Sequence, residues 1–252
     1  MLERIDHDGI LELNMARPPV NALSPDYVRL LIEALTTAPR EGAQAIVLSG
    51  RPGLFSAGLD VPALLALDEP AIYEFWKDFI NLLGAIACSP IPVAAAITGN
   101  SPAGGAVMSI YCDYRVMAEG DYRIGVNEVQ VGLPLPPIVH AALVRQVGPR
   151  HAERLGAGGL LLAPEDALAV GLVDRITPVD QVVPCALAWC RHMVELPPDA
   201  MRMTRDMVRA DLVELFKHIG ENDYRMMTDA WFGAETQATM RALVERLKQK
   251  KK

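Results

Sequence analysis

Glu128 sits where a carboxylate is costly. It lies in GVNEVQVGLP, Gly125 to Pro134, among Val, Gly, Leu and Pro, and desolvating a carboxylate is unfavourable unless a partner or a proton compensates it. Such a site suits proton transfer to and from carbon, because burial raises the carboxyl pKa toward that of a weak carbon acid. The competing reading is a surface glutamate on a strand-to-turn segment. Two other segments could stabilise negative charge: GLFSAGLD, Gly53 to Asp60, and GNSPAGGAVMSIYCDYR, Gly99 to Arg115. Each is rich in glycine and small residues, follows a strand-like run and precedes a helical pattern. A junction of that kind presents free backbone N–H groups at the positive end of a helix, and two junctions side by side can aim two donors at one oxygen. Tight-turn geometry alone accounts for the same glycines. Neither segment is a phosphate loop, since no GxxxxGK[ST] occurs and GAGGLL lacks the GxGxxG spacing.

Other polar residues carry less. Ser56 and Ser101 lie in the glycine-rich loops, but GNSPAGG misses the GxSxG spacing and no His/Asp pair accompanies it. His140 reads as an ordinary helix residue near the presumed pocket, while His7, His151, His192 and His218 are scattered and form no metal set. Asp60 in AGLD reads as a turn or helix cap. Trp76, Trp189 and Trp231 fall on helical patterns as packing or subunit-contact anchors.

The elements that must position these residues alternate. LERID and ILELNM flank HDG as a hairpin, and SPDYVRLLIEALTTA opens a helix at Ser24 and Pro25. AIVLSG suits a strand buried on both faces. A helix in EPAIYEFWKDFINLLGAIA, a strand in PVAAAIT, a Gly-rich turn, a helix in GGAVMSIYC and a strand in YRVMAE follow. This order predicts an α/β fold with largely parallel strands, whose ligands lie at the loops after the strands. Beyond about Pro134 helices dominate, interrupted by VDRITP. The last helix is expected over about Asn222 to Lys250, with Met240, Leu243, Val244 and Leu247 on one face.

Composition narrows the function classes. The 252 residues are 51% apolar with mean hydropathy +0.17 and net charge −7, which implies a large core or apolar surface shared between subunits and argues against nucleic-acid binding. The basic run ERLKQKKK reads as a solvated helix end. Cys88, Cys112, Cys185 and Cys190 show no metal or redox spacing, and buried free thiols in a reducing compartment are expected. The chain opens directly into strand-like alternation, and LLGAIACSPIPVAAAI is broken by Pro90 and Pro92 before reaching membrane-spanning length. A cytoplasmic protein without membrane association is expected.

Five ordered blocks, RPPVNALS, GLFSAGLD, SPAGGAVMSIYCDYRV, NEVQVGL and LLLAPEDALAVGLVDRI, together resemble the crotonase, or enoyl-CoA hydratase/isomerase, superfamily and span most of the chain. The resemblance implies a ClpP/crotonase-like spiral of ββα units over residues 1–195 and a helical trimerisation or capping region over 196–252. It implies a homotrimer or a dimer of trimers. The implied ligand is an acyl-CoA, with coenzyme A as part of the substrate and no separate cofactor or metal. The thioester oxygen would be held by the amides of Leu59 and Gly104. Ala57, Gly58, Asp60 and Val61 would lie along the CoA, Ala22 in the NALS segment near its nucleotide end, and Gly105 and Val107 beside the substrate.

Hydratases of this family use two glutamates, one of them two residues beyond the GG pair. Here that position is Val107, and the second glutamate alone remains, as Glu128. The wording FSAGLD, AGG…CDYR, NE.Q.G and ERLK is most similar to mitochondrial-type Δ3,Δ2-enoyl-CoA isomerases, which implies proton shuttling by Glu128 between C2 and C4 of a 3-enoyl thioester. A hydratase or another crotonase-fold enzyme is the nearest alternative, and a non-catalytic acyl-CoA-binding scaffold a further one. The segment LPLPPIVHAAL departs from that subgroup and is expected to shape the acyl pocket.

Overall fold

The computed structural model describes residues 1–249. Lys250 to Lys252, the end of the basic run, lie outside them. A six-stranded sheet in the order β1-β2-β3-β5-β7-β9 and a small three-stranded sheet in the order β4-β6-β8 form the frame. The strands are β1 (Leu2–His7), β2 (Ile10–Met15), β3 (Ala45–Ser49), β4 (Gly53–Leu54), β5 (Val93–Ile97), β6 (Gly99–Pro102), β7 (Tyr114–Ala118), β8 (Ile124–Gly125) and β9 (Arg175–Thr177). The helices are α1 (Pro25–Thr37), α2 (Val61–Leu64), α3 (Glu69–Ala87), α4 (Gly104–Ile110), α5 (Pro137–Gly158), α6 (Pro164–Ala169), α7 (Val182–Glu195), α8 (Pro198–Val208), α9 (Ala210–Glu214), α10 (Glu221–Phe232) and α11 (Ala234–Gln249).

The β1–β2 hairpin is antiparallel and turns at Asp8 and Gly9, both with positive φ, as a two-residue loop requires. Every other pairing between these strands is parallel. The chain visits the large sheet and then the small one three times, through β3–β4, β5–β6 and β7–β8, each visit ending in a helix or turn, so it winds as a spiral of ββα units. β3 and β5 are buried along their whole length. Alternate residues of β5 serve two cores: Val93, Ala95 and Ile97 face the large cluster with α1 and α3, while Ala94 and Ala96 meet α7 through Ala186, Leu187 and Cys190.

The structure departs from the sequence expectations at several elements. VDRITP does not merely interrupt helices: its Arg175–Thr177 pairs with Val116 to Ala118 and completes the large sheet. The first residues of the Gly-rich loops are short strands. The long terminal helix is two helices, because Gly233 takes an extended conformation (φ −56°, ψ 140°) between α10 and α11. Met240 is buried, yet Leu247 is exposed. Of the cysteines, all unpaired, Cys112 and Cys190 are buried, Cys185 is half-buried and Cys88 is exposed. The helical C-terminal part is tied to the sheet through buried charge. Asp113 receives Arg205 through Nε and Nη2 at 2.8 and 2.9 Å and Arg209 Nη1 at 3.1 Å, while its Oδ2 also accepts the Val93 N–H.

Candidate active site

Glu128 opens a 3-10 turn, Glu128–Val131, directly after β8. The turn closes at Gly132 with φ +78°, a conformation that favours glycine. A Cβ there would meet Thr236 Cα at 3.0 Å, so α11 packs tightly on the turn, and Thr236 Oγ1 donates to the Gly132 carbonyl at 2.6 Å. This places Oε2 of Glu128 inward although the residue as a whole is half-buried. Its Oε2 is sealed from solvent without a hydrogen-bond partner. Burial pushes its pKa from the ordinary 4.5 up to about 7.

Two backbone amides converge from the glycine-rich loops. Gly58 has φ +83°, and a Cβ on it would lie 3.0 Å from Ala103 Cβ and 3.1 Å from the Gly104 nitrogen. The Gly58 carbonyl accepts the Leu23 N–H at 2.8 Å. In a planar trans peptide this turns the Leu59 N–H the opposite way. At the second loop Ala103, a non-glycine residue at φ +48°, ψ −124°, precedes the first residue of α4. Its carbonyl accepts the Val107 N–H, so the Gly104 N–H faces outward from the helix N-terminus. Neither the Leu59 nor the Gly104 amide has an acceptor among the described residues. Backbone strain of the kind at Ala103 costs about 1–3 kcal/mol and persists where surrounding structure enforces it.

The two glycine-rich loops and the turn that carries Glu128 meet in one pocket. Leu59, Gly104, Val107 and Glu128 line it together with Trp76 and Phe79 of α3, Leu133, Pro134, Pro136 and Val139, and Met226, Met227 and Ala230 of α10. The remaining residues singled out in the sequence surround this cluster. Ala22 is buried in the loop whose next residue, Leu23, pairs with Leu59. The Ala57 N–H is held by the Val20 carbonyl. The Asp60 carboxylate caps α2 through the Ala63 N–H and pairs with Arg17 at 2.9 Å, and Val61 begins that helix. Gly105 lies against Ser56: a Cβ would be 2.8 Å from the Ser56 carbonyl oxygen.

Residues 6–252 match the enoyl-CoA hydratase/isomerase family. The chain belongs to that family. It is 33% identical over its whole length to the mitochondrial enoyl-CoA delta isomerase 1 of Rattus norvegicus, covering 88% of that protein. It is 31% identical to a probable enoyl-CoA hydratase of Mycobacterium tuberculosis, over 82% of this chain and 79% of the other. Among solved structures, human mitochondrial Δ3-Δ2-enoyl-CoA isomerase superposes with a TM-score of 0.94 at 30% identity, covering 100% of this chain and 99% of that one. The crotonase-like fold expected from the sequence is therefore the fold observed.

Parts of this pocket in a member of the enoyl-CoA hydratase/isomerase family are not legible in the sequence. Trp76, expected as a packing or subunit-contact anchor, is a pocket wall. Met226, Met227 and Ala230 reach their own chain's pocket from α10, a fold-back that local periodicity does not report. From LPLPPIVHAAL, Leu133, Pro134, Pro136 and Val139 line the pocket, whereas His140 is an exposed helix residue. Among the described residues no helix is long and apolar enough to cross a membrane.

Proposed function

We propose that this enzyme moves the double bond of a 3-enoyl-CoA to the 2-position. The thioester oxygen accepts the Leu59 and Gly104 N–H groups. Glu128 takes a C2 proton, the C–H electrons form a C1–C2 double bond as the carbonyl π electrons move onto that oxygen, and the resulting dienolate keeps its C3–C4 double bond. The same carboxyl group then returns the proton at C4 as the carbonyl re-forms and the double bond settles at C2–C3. One proton is removed and one restored, so a single base suffices, and no cofactor takes part beyond the coenzyme A carried by the substrate. Losing one oxyanion donor typically costs about 3–4 kcal/mol of barrier. Ala22, Ala57, Gly58, Asp60, Val61 and Gly105 would form the CoA side of this site, and Val107 its apolar side.

The observation that carries this reading is a solitary carboxylate, poised near neutrality, in a pocket where Val107 stands at the position of a second acid. Hydration, favoured by the mycobacterial relative, needs water activated at one carbon and a proton delivered at the other. Separate incubations with 3-enoyl-CoA and 2-enoyl-CoA decide between them: the isomerase converts the first to 2-enoyl-CoA and leaves the second unhydrated. Rapid formation of 3-hydroxyacyl-CoA would overturn the proposal. If Glu128→Gln left turnover unchanged, the scaffold reading would replace it.

The same reading takes residues 1–195 as the catalytic core, with 196–252 capping it and joining subunits in a homotrimer or dimer of trimers. Exposed Met203, Met207 and Val208 on and beside one face of α8 support shared apolar surface. Sedimentation of the purified chain tests it. A cytoplasmic location is supported by the four unpaired thiols.

A further inference from the structure

Ser56 is wholly buried and close to the pocket, yet it does not line it. Its Oγ accepts the Gly58 N–H at 3.1 Å and donates to the Asn21 carbonyl at 2.8 Å, so its single hydroxyl is engaged on both sides. Asn21 is 1% exposed and sits at φ +50°, a region Asn tolerates better than most residues. Its side chain is committed too: Nδ2 donates to the Phe55 carbonyl at 2.9 Å and Oδ1 accepts the Arg17 N–H at 2.8 Å. The Ala57 N–H to Val20 bond and the Leu23 N–H to Gly58 bond run between the same two loops.

We infer that Ser56 and Asn21 are positioning residues that aim the Leu59 amide. Gly58 has left-handed φ and no side chain, so its two peptide planes are free unless something holds them. Leu23 holds the carbonyl side and Ser56 the amide side, and Asn21 holds Ser56 while tying the first loop to Phe55. The Leu59 N–H shares its peptide plane with the Gly58 carbonyl, so its direction depends on these bonds. An oxyanion donor works only when preorganised, because a misdirected amide must reorganise as charge develops. On this account the asparagine of NALS acts inside the protein and not as a ligand of CoA, and Ser56 acts through Gly58 and not as a nucleophile. The inference rests on the proposed role of the Leu59 amide.

Ser56→Ala tests it in the full-length protein. Bound hexanoyl-CoA labelled with carbon-13 at its carbonyl, a saturated ester that cannot isomerise, reports the hydrogen bonds to the thioester oxygen through its C=O stretching frequency. The wild-type protein should lower that frequency relative to the free ester, and Ser56→Ala should return it part of the way. With 3-enoyl-CoA, kcat should fall about 10- to 100-fold while KM stays within about threefold. Ser56→Cys, which keeps a weak acceptor, should recover part of both effects, and it decides the matter if the alanine variant does not fold. Wild-type frequency and kcat in the variants would overturn the inference, as would a loss of thermal stability or a rise in KM that left the frequency unmoved. If the wild-type protein turned over no 3-enoyl-CoA, the isomerase proposal would fail, while the C=O frequency would still decide the role of Ser56.

Discussion

Glu128 must be ionised before it can take a proton from carbon. With its pKa near 7, kcat/KM for a 3-enoyl-CoA should rise about tenfold per pH unit below pH 7 and level off above it. A stopped-assay pH series with matched ionic strength checks this. The same shift acts on stability with the opposite sign. The folded state binds the Glu128 proton more tightly than the unfolded chain, whose pKa is the ordinary 4.5. The contribution is fully present below about pH 4.5 and is lost as pH rises through about 7. Glu128→Gln removes the buried charge. At pH 8 it should therefore melt about 3–6 °C above the wild type while kcat falls about 10³-fold, read by calorimetry and turnover on the same preparations. The sequence marked this residue as a carboxylate among apolar neighbours. That its Oε2 is sealed without a partner follows only from the packing of the turn against α11 and from the surrounding pocket walls.

At the level of elements, the loop ahead of α2 packs closely on the N-terminus of α4, and the proposed function has the two act as a pair. Gly58→Ala adds a Cβ at φ +83° against Ala103 Cβ and the Gly104 nitrogen, so it should separate the two amides. A loss of about 10²–10³-fold in kcat, with acyl-CoA binding largely kept, is the expected outcome in steady-state kinetics and equilibrium titration. Local pattern was a good guide to α1, α3, α4 and the strands β3, β5 and β7, because each buries a continuous or periodic apolar face. It was a poor guide to β4, β6, β8 and β9. These strands have two to four residues, and their pairing partners lie far away in the chain. The break between α10 and α11 was also hidden, since one Gly in a helical pattern is compatible with continuation.

Over the whole molecule, the C-terminal helices serve the site by folding back on it. α10 packs on α3, where Trp231 and Trp76 meet edge to face at 6.4 Å, and carries Met226 and Met227 into the pocket. Asp113 anchors α8 and the residue after it to the sheet through Arg205 and Arg209, all three side chains being almost fully buried. Asp113→Ala leaves two buried guanidinium groups without their counter-charge and should cost about 3–5 kcal/mol. A denaturant titration showing a lower midpoint with an unchanged slope would register it. A change below about 1 kcal/mol would mean that these helices are held by apolar packing instead.

The residues on which the proposed chemistry rests are local features of the sequence: a glutamate in an apolar run, two strand–glycine–helix junctions and a valine where a second acid would stand. Residue type and spacing determine these, because they depend on neighbours in the chain. Long-range packing decided the rest. It brought residues 59, 104 and 128 to one pocket, fixed the peptide planes around Gly58 and Ala103 by hydrogen bonds, and lined the pocket with a helix from beyond residue 220. Those outcomes depend on hydrogen bonds and contacts between segments distant in sequence, which local periodicity does not encode.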